Sequence, residues 1–443
     1  MANEPVLERF RELLRIPTIS RPDPADMDLT EFERFIDTVE RLYPLAHRAL
    51  ERERVAGHSL LYRWKGASSD TASVLMAHYD VVAATDEGWD HPPFAAEVTG
   101  EGDDRILWGR GTLDDKGALT CVLESIEGLL AEGFAPAGDV YLSFGHNEET
   151  AGNGAVEAVE LLRTRGVEPD FVLDEGGAIV EGVFPGVDAP IAVVGVSEKG
   201  ITTLKLTVEE RGGHASMPPR DTATATLARA VVRLNARPHK AALSATNIEM
   251  LNTVGAHAKG IYRFLFTQTW LTRGILKLAF TRLSEETAAM TRTTQAVTML
   301  QAGLAENALA ERAVATVNIR VAVGSSVAEA VEHVRRAVND DRVTIEVADP
   351  SEPSPVSPTT GPQWESLRAA IEQTYPGTVV TPYVMLGASD ARRYTAISDH
   401  VYRFSPFEMS KAERDTLHAK NERMRVATFL RGIEFYRALV RGL

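Results

Sequence analysis

Three apolar runs in the first half of the chain each end in acid or histidine. Ala72–Ala77 leads into His78-Tyr79-Asp80, Val140–Phe144 into Gly145-His146-Asn147-Glu148-Glu149, and Phe171–Leu173 into Asp174-Glu175-Gly176-Gly177. Short runs that stay apolar without alternation predict strands buried on both faces. Helical patterns separate them, from about Lys116 to Glu132 and from Val156 to Arg165. Residues 1–65 read as helical, around Val6–Leu14 and Leu29–Leu50. This alternation predicts an α/β domain whose mixed, mostly parallel sheet carries helices on both faces. In such sheets ligands bind beyond the carboxyl ends of the strands, where these polar residues fall.

From about residue 198 the pattern changes. Thr202–Val208 alternates as an amphipathic strand, Ala223–Leu234 follows as a helix, and Ala313–Val321 and Val343–Val347 read as strands around a helix at Val327–Val338. These elements predict a compact αβ sandwich of its own. Pro and Ser crowd Pro350–Pro362, the return linker. The expected division is a catalytic domain at 1–197 and 350–443, with an inserted domain at 198–349. Within the insert, a stretch over about 237–290 contains Ile261–Leu283, where Tyr262, Phe264, Phe266, Trp270, Ile275 and Leu278 alternate with Arg263, Arg273, Lys277 and Arg282. Two readings stand side by side: a helical pair packed on the small domain, or a basic, aromatic surface facing an acyl chain or a membrane.

Composition narrows the function. At 443 residues, 44% hydrophobic and 25% charged, the chain is globular and too long for one ordinary core. A net charge of −15 argues against nucleic acid as a partner, since phosphate binding needs a basic stripe. The single cysteine, Cys121, allows no intramolecular disulfide, and its place in the apolar run Leu119–Leu123 predicts a buried small hydrophobe rather than a nucleophile. The start, Met1-Ala2-Asn3-Glu4-Pro5, lacks the pattern of a secretory leader, and no apolar run reaches the roughly 18 residues of a membrane span. The cytoplasm is the expected compartment.

The chemistry lies at the strand ends. His78 and Asp80 share one side of an extended segment, so Asp80 can accept the second N–H of a ligating imidazole. In Gly109-Arg-Gly-Thr-Leu-Asp114-Asp115-Lys116-Gly117 the glycines allow a tight turn that presents acid to a cation. An Asp cap on the following helix would explain one acid and leave the other idle. Glu148 and Glu149 repel each other at a strand end unless a cation relieves them. One can then ligate while the other takes a proton from activated water. Asp174-Glu175 repeats the arrangement, and His418 lies in a late polar segment, Leu417-His418-Ala-Lys-Asn-Glu422. Oxygen-rich donor sets with one His per metal suit a co-catalytic pair, most often zinc; a structural cysteine–zinc site is excluded by the cysteine count.

The order of these motifs resembles the aminoacylase-1, carboxypeptidase S and ArgE/DapE family of di-zinc peptidases and amidohydrolases. The likeness rests on His78-x-Asp80, Gly-Arg-Gly-x-x-Asp114-Asp115-Lys-Gly, Glu148-Glu149-x-x-Gly, Asp174-Glu175-Gly, Gly213-His214 and His418, and spans nearly the whole chain. It implies a zinc-peptidase catalytic domain with a lid and dimerisation domain. It implies two Zn2+ per subunit, with Co2+ or Mn2+ able to replace them: His78 and Asp174 on one ion, Glu149 and His418 on the other, Asp114 bridging. Asp174 is preferred, with Glu175 as its rival. The resemblance further implies Glu148 as general base, Asp80 orienting His78, and a cis peptide at Asp114–Asp115. His214, in Arg211-Gly-Gly-His214-Ala-Ser, resembles a lid histidine that polarises the scissile carbonyl, often in the partner subunit of a homodimer. Asn307 and Arg320 are similar to residues that hold a substrate carboxylate, and Gly387 falls in a loop at that end of the substrate.

Val-Ser197-Glu-Lys-Gly, Arg292-Thr-Thr-x-Ala-x-Thr-Met and Tyr402-Arg-Phe-Ser-Pro bring the chain near the carboxypeptidase S and N-fatty-acyl-amino-acid hydrolase branch. That branch implies a peptide or N-acyl amino acid substrate with a free carboxylate. Two departures bear on substrate preference: the usual Asn-x-Ile-Pro is Asn307-Ala-Leu-Ala, and Arg393 stands where a His is expected. The expected activity is hydrolysis of an amide beside a carboxylate. The alternatives are a non-catalytic binding protein on the same fold, and the reverse reaction, synthesis of N-acyl amino acids.

Overall fold

Nine strands form the larger sheet, in the order Glu51–Val55, Ser59–Trp64, Asp139–Gly145, Ala72–His78, Phe171–Asp174, Val401–Arg403, Ile191–Glu198 and Val379–Met385, with Ala178–Val180 paired to Ile191–Glu198. The structure, a computed structural model, describes residues 4–443. Residues 1–3, on which part of the reading of the chain's start rests, lie outside them. The three strands read from apolar runs are neighbours and parallel: Ala72–His78 pairs with Asp139–Gly145 on one side and Phe171–Asp174 on the other. Every side chain of the first two is buried, as runs without alternation require. The helix Lys116–Ala131 covers one face with Leu119, Val122 and Ile126, and Gly154–Thr164 covers the other with Ala155, Ala158 and Leu162. Cys121 is buried among them, its thiol against the Phe429 carbonyl.

Residues 51–64 correct the helical reading of the first 65. Glu51–Val55 and Ser59–Trp64 form an antiparallel hairpin that extends the sheet. Glu51–Val55 is the edge strand, so its polar residues stay largely exposed and leave no apolar run to read. The chain reverses at Ala56 and Gly57, with φ of 49° and 87°; an alanine in that region gives no turn signal.

A second sheet is antiparallel, in the order Thr294–Ala302, Arg312–Val321, Gly200–Glu209, Val343–Ser351. One face is covered by the helices Ala223–Asn235 and Val327–Val338, and Leu204, Leu206, Val317, Ile319, Leu227 and Val334 build a core separate from that of the larger sheet. Thr294–Ala302, unread as a strand, is an edge with most of its side chains at least partly exposed. The stretch at Ile261–Leu283 is a helical pair, Gly260–Thr267 and Thr269–Leu283. Its partner corrects the expectation. The neighbouring helix Ala245–Ala256 packs on the strand Val379–Met385, and Met250, Leu251, Val254, Phe266, Leu276 and Phe280 join the core of the larger sheet.

Candidate metal centre

The parallel strands end together, and this convergence assembles the site. His78 is the last residue of its strand. Asp139–Gly145 runs into a short turn carrying Glu148 and Glu149, and Phe171–Asp174 into Glu175. Asp114 arrives from the loop before Lys116–Ala131. That loop turns at Gly111, with φ of 86°, and packs so closely at Gly117 that a Cβ there would lie 2.2 Å from the Thr112 carbonyl oxygen.

Asp114 divides its two oxygens between two clusters. Oδ1 lies 2.9 Å from His78 Nε2, and Oδ2 lies 2.8 Å from His418 Nε2. Glu175 Oε1 is 3.6 Å from His78 Nε2, and Glu149 Oε2 is 3.0 Å from His418 Nε2. Two candidate cation sites follow, His78–Asp114–Glu175 and Asp114–Glu149–His418, sharing one carboxylate. Glu149 Oε1 is buried without a hydrogen-bond partner, as a ligand atom awaiting a cation would be.

The surrounding groups hold this arrangement. His78 Nδ1 faces the Asp80 backbone carbonyl at 3.0 Å and Asp80 Oδ1 at 3.3 Å, so Nε2 points to Asp114. The Asp80 carboxylate also accepts the backbone N–H of Glu148 and of Glu149, each at 3.1 Å, which sets the Glu-Glu turn. Glu422, buried beside Arg110, accepts the N–H of Leu113 at 2.8 Å and of Asp114 at 3.3 Å. The Asp114–Asp115 peptide is cis. Asp115 does not cap the helix that follows. Its Oδ2 accepts the His78 N–H at 3.3 Å, so the cap reading fails for both acids.

Negative charge is in excess here. Burial raises Glu148 well above the usual carboxylate range; His78 opposes that, and Glu175, Asp390 and Asp114 add to it. Burial, with Asp114, pushes Glu175 up to about 8, and burial with Asp174 pushes Asp390 up to about 7. Burial works against ionised Asp114 as well, but hydrogen bonds from His418 and His78 hold it below its ordinary value. The hydrogen bonds that His418 donates to Asp114 and Glu149 in turn raise His418 to about 10. Carboxylates so crowded against two imidazoles are what bound cations would relieve, so the donor set fits metal.

Glu148, Glu149, Asp114, Glu175, Gly387 and His418 line a cavity of about 280 Å³, with Met385, Met409 and Leu417 as apolar wall. Of the two acids left open at the end of Phe171–Asp174, Glu175 and not the preferred Asp174 lies with His78 and Asp114. Asp174 ends the strand and turns elsewhere, where its Oδ2 accepts the Ala391 N–H at 2.8 Å. His214 is exposed on the short ladder of Gly213–His214 with Ala308–Leu309, and the backbone of Asn307 joins it there through the Ala215 N–H. Arg320 is half-buried on the second sheet opposite Ile201. None of these three lines the cavity. Asp115, Asp390 and Glu422 went unassigned in the sequence. The signal for Glu422 was its place four residues after His418.

A family model, that of Peptidase family M20/M25/M40, matches residues 74–442. The chain belongs to this family. It is therefore an enzyme of the metallopeptidase and amidohydrolase type, and the M20 family implies metal ions at a site whose ligand groups are present. The M20 chain is 37% identical to the "Probable carboxypeptidase S-like 2" of Dictyostelium discoideum, over 98% of this chain and 84% of the other. It is 34% identical to the "N-fatty-acyl-amino acid synthase/hydrolase PM20D1" of Xenopus tropicalis, over 99% and 85%. Its fold is similar to that of the M20 metallo-carboxypeptidase Sso-CP2 from Sulfolobus solfataricus, with a TM-score of 0.71 over 98% of each chain at 17% identity. No helix among the described residues is long and apolar enough to cross a membrane.

Proposed function

We propose that this M20 enzyme hydrolyses the amide bond of an N-acyl amino acid or short peptide beside a free carboxylate, using two Zn2+ and Glu148 as general base. The division of the Asp114 oxygens between His78 and His418, with Glu148 in the same cavity, carries the reading. His78, Asp114 and Glu175 would hold one cation, and Asp114, Glu149 and His418 the other. Bound there, the cation pair supplies Lewis acidity to water and to the scissile carbonyl. Co2+ or Mn2+ would serve in place of zinc, since the donors are mostly oxygen.

Glu148 takes the proton of the attacking water and returns it to the leaving amine. Asp80 keeps His78 in one tautomer and fixes the turn that presents Glu148. Met385, Met409 and Leu417 suit an apolar acyl or side-chain group. Asn307, Arg320 and Gly387 are proposed for the substrate carboxylate. His214, remote from its own chain's cavity lining, is proposed to act in the site of a partner in a homodimer. The domain division at 1–197, 198–349 and 350–443 underlies this reading, with the inserted domain as lid; the cytoplasm is its proposed compartment.

The test is an activity screen of the zinc-loaded enzyme across N-acyl amino acids of increasing chain length, alongside dipeptides. Turnover that a chelator abolishes and zinc restores supports the reading. Absence of hydrolysis on every amide with a free carboxylate overturns it. The reverse reaction uses the same residues, and condensation under excess amino acid in the same screen measures it.

A further inference from the structure

The helix Thr269–Leu283 presents two apolar faces. Thr269, Thr272, Leu276 and Phe280 point inward and are buried. On the opposite side Trp270, Leu271, Ile275 and Leu278 are exposed by 80%, 59%, 63% and 50%. At 100° per residue these four and Gly274 lie in one stripe, on the side where a surface helix ordinarily carries polar groups. Ile261 and Phe264, on the preceding helix, are exposed as well.

The charge around this stripe selects what covers it. Between Gly260 and Ser284 there is no Asp or Glu, while Arg263, Arg273, Lys277 and Arg282 are all present and exposed, in a chain of net charge −15. Two copies meeting through this face would bring like charges together. A surface of anionic headgroups over hydrocarbon satisfies both the stripe and its basic margin. We propose that the Thr269–Leu283 helix docks the enzyme on an anionic lipid surface, with Trp270, Leu271, Ile275 and Leu278 entering the headgroup region.

The chain beyond this helix reaches the segment that carries His418. The next helix, Glu285–Met290, carries Glu286, whose carboxylate lies 4.0 Å from the Arg414 guanidinium, on the segment leading to His418. A lipid-held enzyme would thus meet an amphiphilic acyl substrate where such molecules collect. That consequence rests on the hydrolase reading; the docking itself does not.

The experiment is co-sedimentation of the full-length enzyme with phosphatidylcholine vesicles, with and without about 30 mol% phosphatidylglycerol. Anionic vesicles are expected to bind it at least ~10-fold better than neutral ones, with binding weakened by salt. A Leu271→Ser, Ile275→Ser, Leu278→Ser variant and a Lys277→Gln, Arg282→Gln variant should each lose about 10-fold. Circular dichroism and the thermal midpoint check the folding of both; should the serine variant unfold, the charge variant carries the test. Equal binding to both vesicles, no binding, or binding unchanged in the variants overturns the proposal. So does a sedimentation-velocity dimer that the serine variant alone dissociates, since the face then belongs to a second copy. Vesicle binding without amide hydrolysis would refute the hydrolase reading and leave the docking standing.

Discussion

Glu148 and Glu149 sit side by side in the chain, yet only Glu149 reaches His418, and the proposal gives them different tasks. Glu148→Gln keeps the shape and removes the base. It should leave metal content unchanged while lowering kcat by about 10²–10⁴-fold, the usual range for a lost general base. Metal analysis beside steady-state kinetics checks this, and wild-type turnover would remove Glu148 from its role. The adjacent acids on the next strand make a sharper pair. Glu175→Ala should lose one of two bound metals. Asp174→Ala should keep both and lose about 1–3 kcal/mol of stability, by orphaning the buried Ala391 N–H. The opposite pattern of metal loss would restore Asp174 as ligand. This choice was beyond the reach of the sequence, because both acids follow the same apolar run. Only the strand's last residue and its backbone partner decide which one faces His78. His78, Asp114, Glu149 and His418 were legible as a set through their order, but Asp115 and Asp390 act through contacts between distant segments that no spacing encodes.

At the scale of elements, apolar strands ending in acid or histidine were the easiest to read, since burial on both faces leaves an unbroken run. The edge strands Glu51–Val55 and Thr294–Ala302 escaped for the converse reason: nearly every position is at least partly exposed, which leaves neither an apolar run nor an alternation. The loop from Gly109 to Lys116 was legible as a tight turn presenting acid, but not what holds it. The holder is Glu422, which binds two consecutive N–H groups of the loop and the Arg110 guanidinium. Glu422→Gln should therefore weaken metal binding about 10–100-fold without touching a ligand, the usual cost of losing support behind a ligand. Competition against a graded chelator measures it. Unchanged affinity would mean that the glycines alone set the loop.

For the whole molecule, the question is what joins the two sheets into one working unit. The chain leaves the larger sheet at Glu198 and returns near Ser354, and these crossings are tied to each other. The Glu198 N–H donates to Ser354 Oγ at 2.9 Å, and the Ser354 N–H to the Glu198 carbonyl at 3.1 Å. The Glu198 carboxylate is fully buried and accepts from Arg403 Nε at 2.7 Å and from Ser389 Oγ at 3.0 Å. Ser389 is followed by Asp390 and Ala391, the residues beside the Asp174 strand end, so one carboxylate links the domain junction to the back of the site. Removing it leaves the Arg403 charge buried and unpaired. Glu198→Ala should accordingly cost about 3–5 kcal/mol, whereas Glu198→Leu combined with Arg403→Met should recover much of that loss. Denaturant unfolding of the single and double variants tests this. A single variant within about 1 kcal/mol of wild type would show that solvent reaches Arg403 and that the junction is held by its backbone alone. Because Glu198 touches no ligand, the double variant should also retain its metal, which separates the role of the junction from that of the site it supports.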